Sequence, residues 1–283
     1  MSRLRFTAKN IMSGYVSSIV SLLLGFISRT IFLHYLSATY LGINGLFTNI
    51  LGVLSFAELG IGSAMNYSLY KPIAENNTDK IKSLMHLYKN AYRIIALVVA
   101  VIGLILFPFL DTIVKDPGDI GNISTYYLIF LFNTVTSYFV SYKFSIVNAE
   151  QKNYIFSYIQ IIVTTLTNIL QIVCLILFHN FLIYLLIAAV IQLIQKIFVT
   201  IYLNKKYPYL LDKNIKKLDK EELSTIKKNV AAFVWLRLGS LSINQTDNII
   251  ISAFINVTTI GIISNYNLII TSVSGFITII FKS

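Results

Sequence analysis

The chain has 283 residues, 56% of them hydrophobic and 12% charged, with a formal net charge of +11. A water-soluble domain of this length carries about 25% charge, so the composition excludes an ordinary soluble fold and makes lipid the natural solvent. One cysteine, Cys174, and three scattered histidines, His34, His86 and His179, exclude a disulfide framework and a shared metal site.

About 20 apolar residues cross a bilayer as a helix. Runs of that kind lie at 11–36, 42–67, 90–110, 125–148, 154–178, 181–203, 230–255 and 260–281. They predict an all-α polytopic membrane protein of about eight transmembrane helices. The first run follows basic residues, but it is too long for a signal-peptide core and carries Arg29, so it reads as a retained span.

In chain order, the first span sets Gly14, Ser17, Ser18, Ser21, Gly25, Ser28 and Arg29 on one helical face. The second gathers Asn44, Thr48, Ser55, Glu58, Gly62 and Asn66. The loop after the third holds Asp111, Asp116 and Asp119 beside Lys115, and Pro117-Gly118 there reads as a plain turn. The fourth span adds Asn133, Ser137 and Ser141, and the fifth carries Gln160, Thr164, Thr167, Asn168 and Gln171. Residues 204–229 form a basic cytoplasmic linker. Leu211, Ile215 and Leu218 at helical spacing predict a short amphipathic helix on the membrane surface, or else a solvated connection. The seventh span aligns Arg237, Ser240, Asn244, Asp247 and Asn248.

Orientation follows from the basic residues. With the N-terminus in the cytoplasm, every one of the 23 lysines and arginines falls in a cytoplasmic segment except Lys115, Arg29 and Arg237. The same alternation puts the C-terminus in the cytoplasm. The positive charge is thus a topology signal, and nucleic acid is not an expected partner.

Polar groups in hydrocarbon are costly, so stripes of them mark either helix packing or a hydrated cavity. Small residues in the first span suit packing; the amides and charges of the fifth and seventh suit a cavity. Arg29 and Asp247 fall at one depth and Glu58 and Arg237 at another, by about 1.5 Å per residue. Each pair is a candidate ion pair across two halves, and an arginine released from such a pair suits a phosphate.

The chain also resembles itself at an offset of 219 residues: Lys9-Asn10-Ile11 lies over Lys228-Asn229-Val230, and Leu41-Gly42-Ile43 over Ile260-Gly261-Ile262. That spacing holds six spans, so the copies are related by an axis along the membrane normal. The expected organisation is a six-helix N-terminal lobe at 1–203, the linker at 204–229, and the first two helices of an incomplete second lobe at 230–283. The chain reads as truncated.

Several segments resemble the polysaccharide (oligosaccharide-lipid) flippases of the multidrug/oligosaccharidyl-lipid/polysaccharide exporter superfamily. They are Lys9-Asn10-Ile11 through Gly25-Phe26-Ile27-Ser28-Arg29-Thr30-Ile31-Phe32, Leu41-Gly42-Ile43-Asn44-Gly45-Leu46-Phe47, Glu58-Leu59-Gly60-Ile61-Gly62-Ser63-Ala64 and Gln245-Thr246-Asp247-Asn248-Ile249-Ile250-Ile251. The resemblance implies alternating access by two lobes, moving an undecaprenyl-diphosphate-linked oligosaccharide from the inner to the outer leaflet of a bacterial inner or plasma membrane, for cell-surface polysaccharide or lipopolysaccharide synthesis. It implies a transporter, not an enzyme, without cofactor or metal. Its partners are the lipid-linked oligosaccharide and membrane lipids, with a polysaccharide polymerase or glycosyltransferases as candidates. The expected cavity residues are Arg29, Arg237, Asp247, Asn244, Asn248, Glu58, Asn44, Gln160 and Asn168. The alternatives are a cation-coupled multidrug exporter, a membrane glycosyltransferase and a non-transporting scaffold.

Overall fold

The computed structural model describes residues 3–54, 58, 61–114, 120–212, 214–244 and 246–282, with the side chains of 3–6, 236–246, 272 and 276–282 set aside. The helices are α1 (Arg3–Tyr35), α2 (Ala38–Leu54), α3 (Ile61–Ala74), α4 (Thr78–Leu106), α5 (Leu110–Ile113), α6 (Ile123–Ala149), α7 (Tyr154–Phe178), α8 (Phe181–Lys206), α9 (Lys220–Asn244), α10 (Thr246–Phe254) and α11 (Val257–Lys282). Among the described residues, five helices are long and apolar enough to cross a membrane: α1, α4 with α5, α6, α7 and α8.

The helix ends are built from asparagine. Asn77, Asn122 and Asn180 each accept a hydrogen bond from the backbone N–H three residues on, at 3.0, 3.1 and 3.2 Å. Each cap is worth about 1 kcal/mol, since it satisfies a backbone donor that the first turn of a helix leaves unpaired. Helix reversals use left-handed residues, Asn76 at φ 52° and Gln151 at φ 60°.

Consecutive long helices run up and down, so the structure has two ends, and the contacts agree on which residues share each. At the lysine-rich end, Asn10 donates to the Gln151 carbonyl at 2.8 Å and accepts from the Tyr154 N–H at 2.8 Å, tying α1 to the α6–α7 turn. There too Lys80 of α4 pairs with Glu222 of α9. Tyr207 donates to Glu150 at 2.6 Å, beside the Lys152–Glu150 pair at 2.5 Å. At the opposite end the Tyr35 and His179 rings meet at 4.7 Å, and Ser252 of α10 donates to the Ile113 carbonyl at 2.7 Å.

Two expectations are corrected here. The second apolar run is not one described helix: α2 stops at Leu54 and α3 starts at Ile61, with Glu58 between them. The amphipathic helix expected over 211–218 does not form. After a short turn at Pro208–Leu211 the chain is irregular until Lys220. Ion pairs tie this segment to α4: Lys216 reaches Asp79 at 2.7 Å and Asp212 reaches Lys82 at 3.1 Å. Two such anchors four residues apart fix the segment against α4, and its own helical hydrogen bonds are given up.

α2 lies along α11, and their contact is self-complementary. A Cβ on Gly42 would stand 1.9 Å from the Val257 carbonyl oxygen, and one on Gly261 would stand 1.9 Å from the Ala38 carbonyl oxygen. Thr39 and Thr258 share a hydrogen bond of 3.0 Å between them. Adding 219 turns Ala38, Thr39 and Gly42 into Val257, Thr258 and Gly261, so each residue meets the counterpart of its partner. That is the pattern a twofold axis produces, and glycine permits the backbone approach through Cα–H···O contacts.

Candidate functional site

Three cavities, of about 580, 270 and 380 Å³, join inside the helix set 38–199. Glu58 borders the first and second, Ser137 and Gln192 the first and third, and Ser141 and Phe144 the second and third. Together they form one crevice between α2, α3, α4, α6, α7 and α8. Amides and hydroxyls stud its walls among apolar side chains such as Leu51, Ile129 and Phe130: Asn44 and Thr48 from α2, Asn133 and Ser137 from α6, Thr167 and Gln171 from α7, and Gln192 from α8. Buried amide oxygens of Asn133 and Asn66 on these walls have no hydrogen-bond partner among the described residues. An unsatisfied buried acceptor costs about 1–3 kcal/mol, so both positions suit a donor from a solute or water.

The charges in the crevice are few. Glu58 accepts from the Tyr92 hydroxyl at 3.2 Å, and Tyr138, whose ring centroid is 6.3 Å from that of Tyr92, closes on the same carboxylate. Lys196 donates to the Asn133 carbonyl at 2.9 Å and to the Thr136 hydroxyl at 2.7 Å. Lys196 was expected in a cytoplasmic segment, but it lies ten residues inside the end of α8, about 15 Å from it. Lys143, also expected outside, is 8% exposed within α6.

Arg29 sits beside the α2–α11 crossing. Its Nε donates to Asn265 Oδ1 at 2.7 Å and its Nη2 to Ser264 Oγ at 2.5 Å, both on α11. Ser264 in turn donates to the Gly261 carbonyl at 2.7 Å. An Arg29–Asp247 ion pair is not formed among the described residues. Arg29 finds neutral partners one helix over, and Asp247 is exposed at the start of α10. The side chains of Arg237 and Asn244 lie outside the described residues, so the Glu58–Arg237 pair does too.

Of the other expected residues, Asn44 and Glu58 line the first cavity and Gln160 the third. Gln160 also donates to Thr164 at 3.0 Å. Asn168 is bonded back to the Thr164 carbonyl of its own helix at 2.8 Å. Asn248 packs near Gly45 at the α2–α10 contact. The Asp111 cluster is largely outside the described residues, since 115–119 are among those set aside. The described cavities therefore lie within one helix set, whereas the sequence placed the polar space between two halves. Sequence reasoning passed over Lys196 and Gln192. Their spacing with Gln195 puts the three on one face of an apolar helix, and that was the available signal. Among the described residues no three His, Cys, Asp or Glu side chains come together as a metal site.

A family model described as "Polysaccharide biosynthesis protein" matches residues 7–283. No curated protein matches closely enough to count. Among solved structures, a MOP superfamily transporter from Pyrococcus furiosus Vc1 (DSM3638), described as having a binding pocket of reversed polarity, aligns with a TM-score of 0.52 and 14% identity. The alignment covers 82% of this chain and 52% of that one. A MATE protein in its straight conformation aligns with a TM-score of 0.52 and 15% identity, over 83% of this chain and 52% of that one. At these identities the likeness is one of fold. This chain spans about half the length of these solved structures.

Proposed function

The chain belongs to the polysaccharide biosynthesis protein family, and from that premise we propose that it serves to move an undecaprenyl-diphosphate-linked oligosaccharide from the inner to the outer leaflet of a bacterial plasma membrane. The lysine-rich end faces the cytoplasm in this reading, with both termini on that side. Residues 1–203 act as one lobe and 230–283 as the start of a second, which rocks against the first about the α2–α11 crossing.

One observation carries the reading: the crevice offers amide and hydroxyl groups, with two buried amide oxygens lacking donors. Sugar hydroxyls donate and accept at once, so a wall of amides and hydroxyls matches them better than it matches an apolar cation. Lys196 supplies the positive charge that a diphosphate needs nearby. Transport of this kind breaks no bond and needs no acid–base pair.

A second reading rests on Glu58. A single carboxylate between two tyrosines, shared by two cavities, is a fitting site for a coupling cation in a multidrug exporter. The chain reconstituted in vesicles separates the two. Movement of a fluorescent undecaprenyl-diphosphate glycan, slowed about tenfold or more in Lys196→Met and Asn133→Leu, supports the flippase. Cation-gradient-driven movement of an organic cation, lost in Glu58→Gln, with no glycan movement, overturns it in favour of the exporter.

A further inference from the structure

A fourth cavity, of about 540 Å³, lies apart from the crevice at the lysine-rich end, between α4, α6, α8 and the segment 210–215. Lys89 and Lys143 both face it, and no ion pair of either is formed among the described residues. Lys143 is held by the Asn204 amide oxygen at 2.5 Å and lies 5.9 Å from the Tyr142 ring centroid. The carboxylate on the wall, Asp212, is already bonded to Lys82 at 3.1 Å and to the Asn214 N–H at 3.0 Å. Exposed His86 lies at the rim. Of the three lysines that line the space, Lys82 is paired with Asp212, while Lys89 and Lys143 have no carboxylate partner among the described residues, and like charges facing one cavity draw a counter-ion.

Much of the rest of the wall is apolar, and part of it is exposed. Phe139 and Leu211 are 51% and 59% exposed. Lys89 lies eleven residues along α4 and Lys143 six residues before the end of α6. By helical rise these are about 16 and 9 Å from the lysine-rich ends of α4 and α6, on the side that the basic residues put against the cytoplasmic leaflet. We propose that this cavity binds the phosphate head group of an acidic phospholipid, with Lys89, Lys143 and Asn204 holding the phosphate and Phe139 and Leu211 lying along an acyl chain. Basic pockets between transmembrane helices at the cytoplasmic face take such lipids. The bound lipid fastens segment 210–215 to the helix bundle. The proposal goes beyond the transport reading and is tested without it.

The test is native mass spectrometry of the full chain in detergent, titrated with phosphatidylglycerol, with phosphatidylcholine of the same acyl chains, and with inorganic phosphate. Retention of phosphatidylglycerol at least fivefold tighter than phosphatidylcholine supports the site. Each lysine is worth about a fivefold change in affinity, so Lys89→Gln weakens phosphatidylglycerol about fivefold and Lys89→Gln with Lys143→Gln about 25-fold. Lys71→Gln, at a lysine paired with Glu75 on the surface, changes nothing. Lys89 makes no bond that the fold requires, so its single variant decides the matter if the double variant does not fold. Equal retention of the two lipids, or an unchanged Lys89→Gln, overturns the proposal. So does inorganic phosphate binding as tightly as phosphatidylglycerol, because the acyl chain then contributes nothing.

Discussion

Replacing Gly42 by alanine, Gly261 by alanine, and both together probes the self-complementary crossing of α2 and α11. The added Cβ at either site stands 1.9 Å from a carbonyl oxygen, where an ordinary contact begins at 3.4 Å. The obstacle is backbone, which cannot rotate aside as a side chain does, so the helices must part by about 1.5 Å. A gap of even 0.5–1 Å forfeits a quarter to a half of each dispersion contact. Overpacking costs about 1–3 kcal/mol, and a clash of this depth against backbone takes the upper part of that range, about 2–3 kcal/mol. Against it stands the gain of about 1 kcal/mol when alanine replaces glycine in a helix. The expected net loss is about 1–2 kcal/mol per site, or about 2–8 °C in Tm at the usual sensitivity of larger domains. The two sites open the same interface, so the second substitution adds less than the first and the double variant is sub-additive. Thermal unfolding of the purified chain in micelles reads all three. Gly14→Ala is the control, because nothing lies within 4 Å of its Cβ position, and it raises Tm slightly. If Gly42→Ala and Gly261→Ala behave like Gly14→Ala, or if their losses simply add, the two helices do not meet in the manner described.

Arg29→Ala removes two charge-assisted bonds to α11 and lowers stability by about 2–4 kcal/mol in the same assay; Arg29→Lys restores only part, since an ammonium cannot hold Asn265 and Ser264 in the same fork. An unchanged Tm in Arg29→Ala means those bonds do not hold α1 to α11. Tyr207→Phe removes the donor to Glu150 and costs about 1–3 kcal/mol near neutral pH. Burial and the nearby Glu150 push the Tyr209 phenol up to about 12 and raise that of Tyr207 as well. A phenol that titrates higher in the folded chain than in the unfolded one contributes fully below about pH 10, and its contribution is lost as the pH climbs through 12. Unfolding followed against pH should therefore show an alkaline decline that is shallower in Tyr209→Phe, and an identical decline in that variant refutes the assignment.

The long helices were legible because the bilayer leaves the chain few options: an apolar run of sufficient length must be a helix. The predicted run 154–178 coincides with α7 end to end. The self-match of Leu41-Gly42-Ile43 with Ile260-Gly261-Ile262 also singled out the two glycines that meet at the α2–α11 crossing. What local pattern did not carry were the non-local choices. The spacing of Leu211, Ile215 and Leu218 argued for a helix, but ion pairs to residues of α4 more than 100 positions away decided otherwise. Arg29 was assigned a carboxylate because a buried cation needs acceptors; the amide of Asn265 and the hydroxyl of Ser264 meet that need equally well, and a one-dimensional depth argument cannot rank them. Lys196 escaped notice because charge near the end of an apolar run was read as outside it.

The crossing lies within the first turns of both α2 and α11, near one extremity of each. A tilt of about 10° about Gly42 displaces the far end of α2 at Leu54, about 18 Å away, by about 3 Å. Thr39 and Thr258 sit where the motion is smallest, so their bond survives while Glu58, just past the distant tip, is carried along. In the rocking proposed above, this pair of glycines is the fulcrum, which turns a slight rolling of two backbones into a displacement several times larger at the other end of α2.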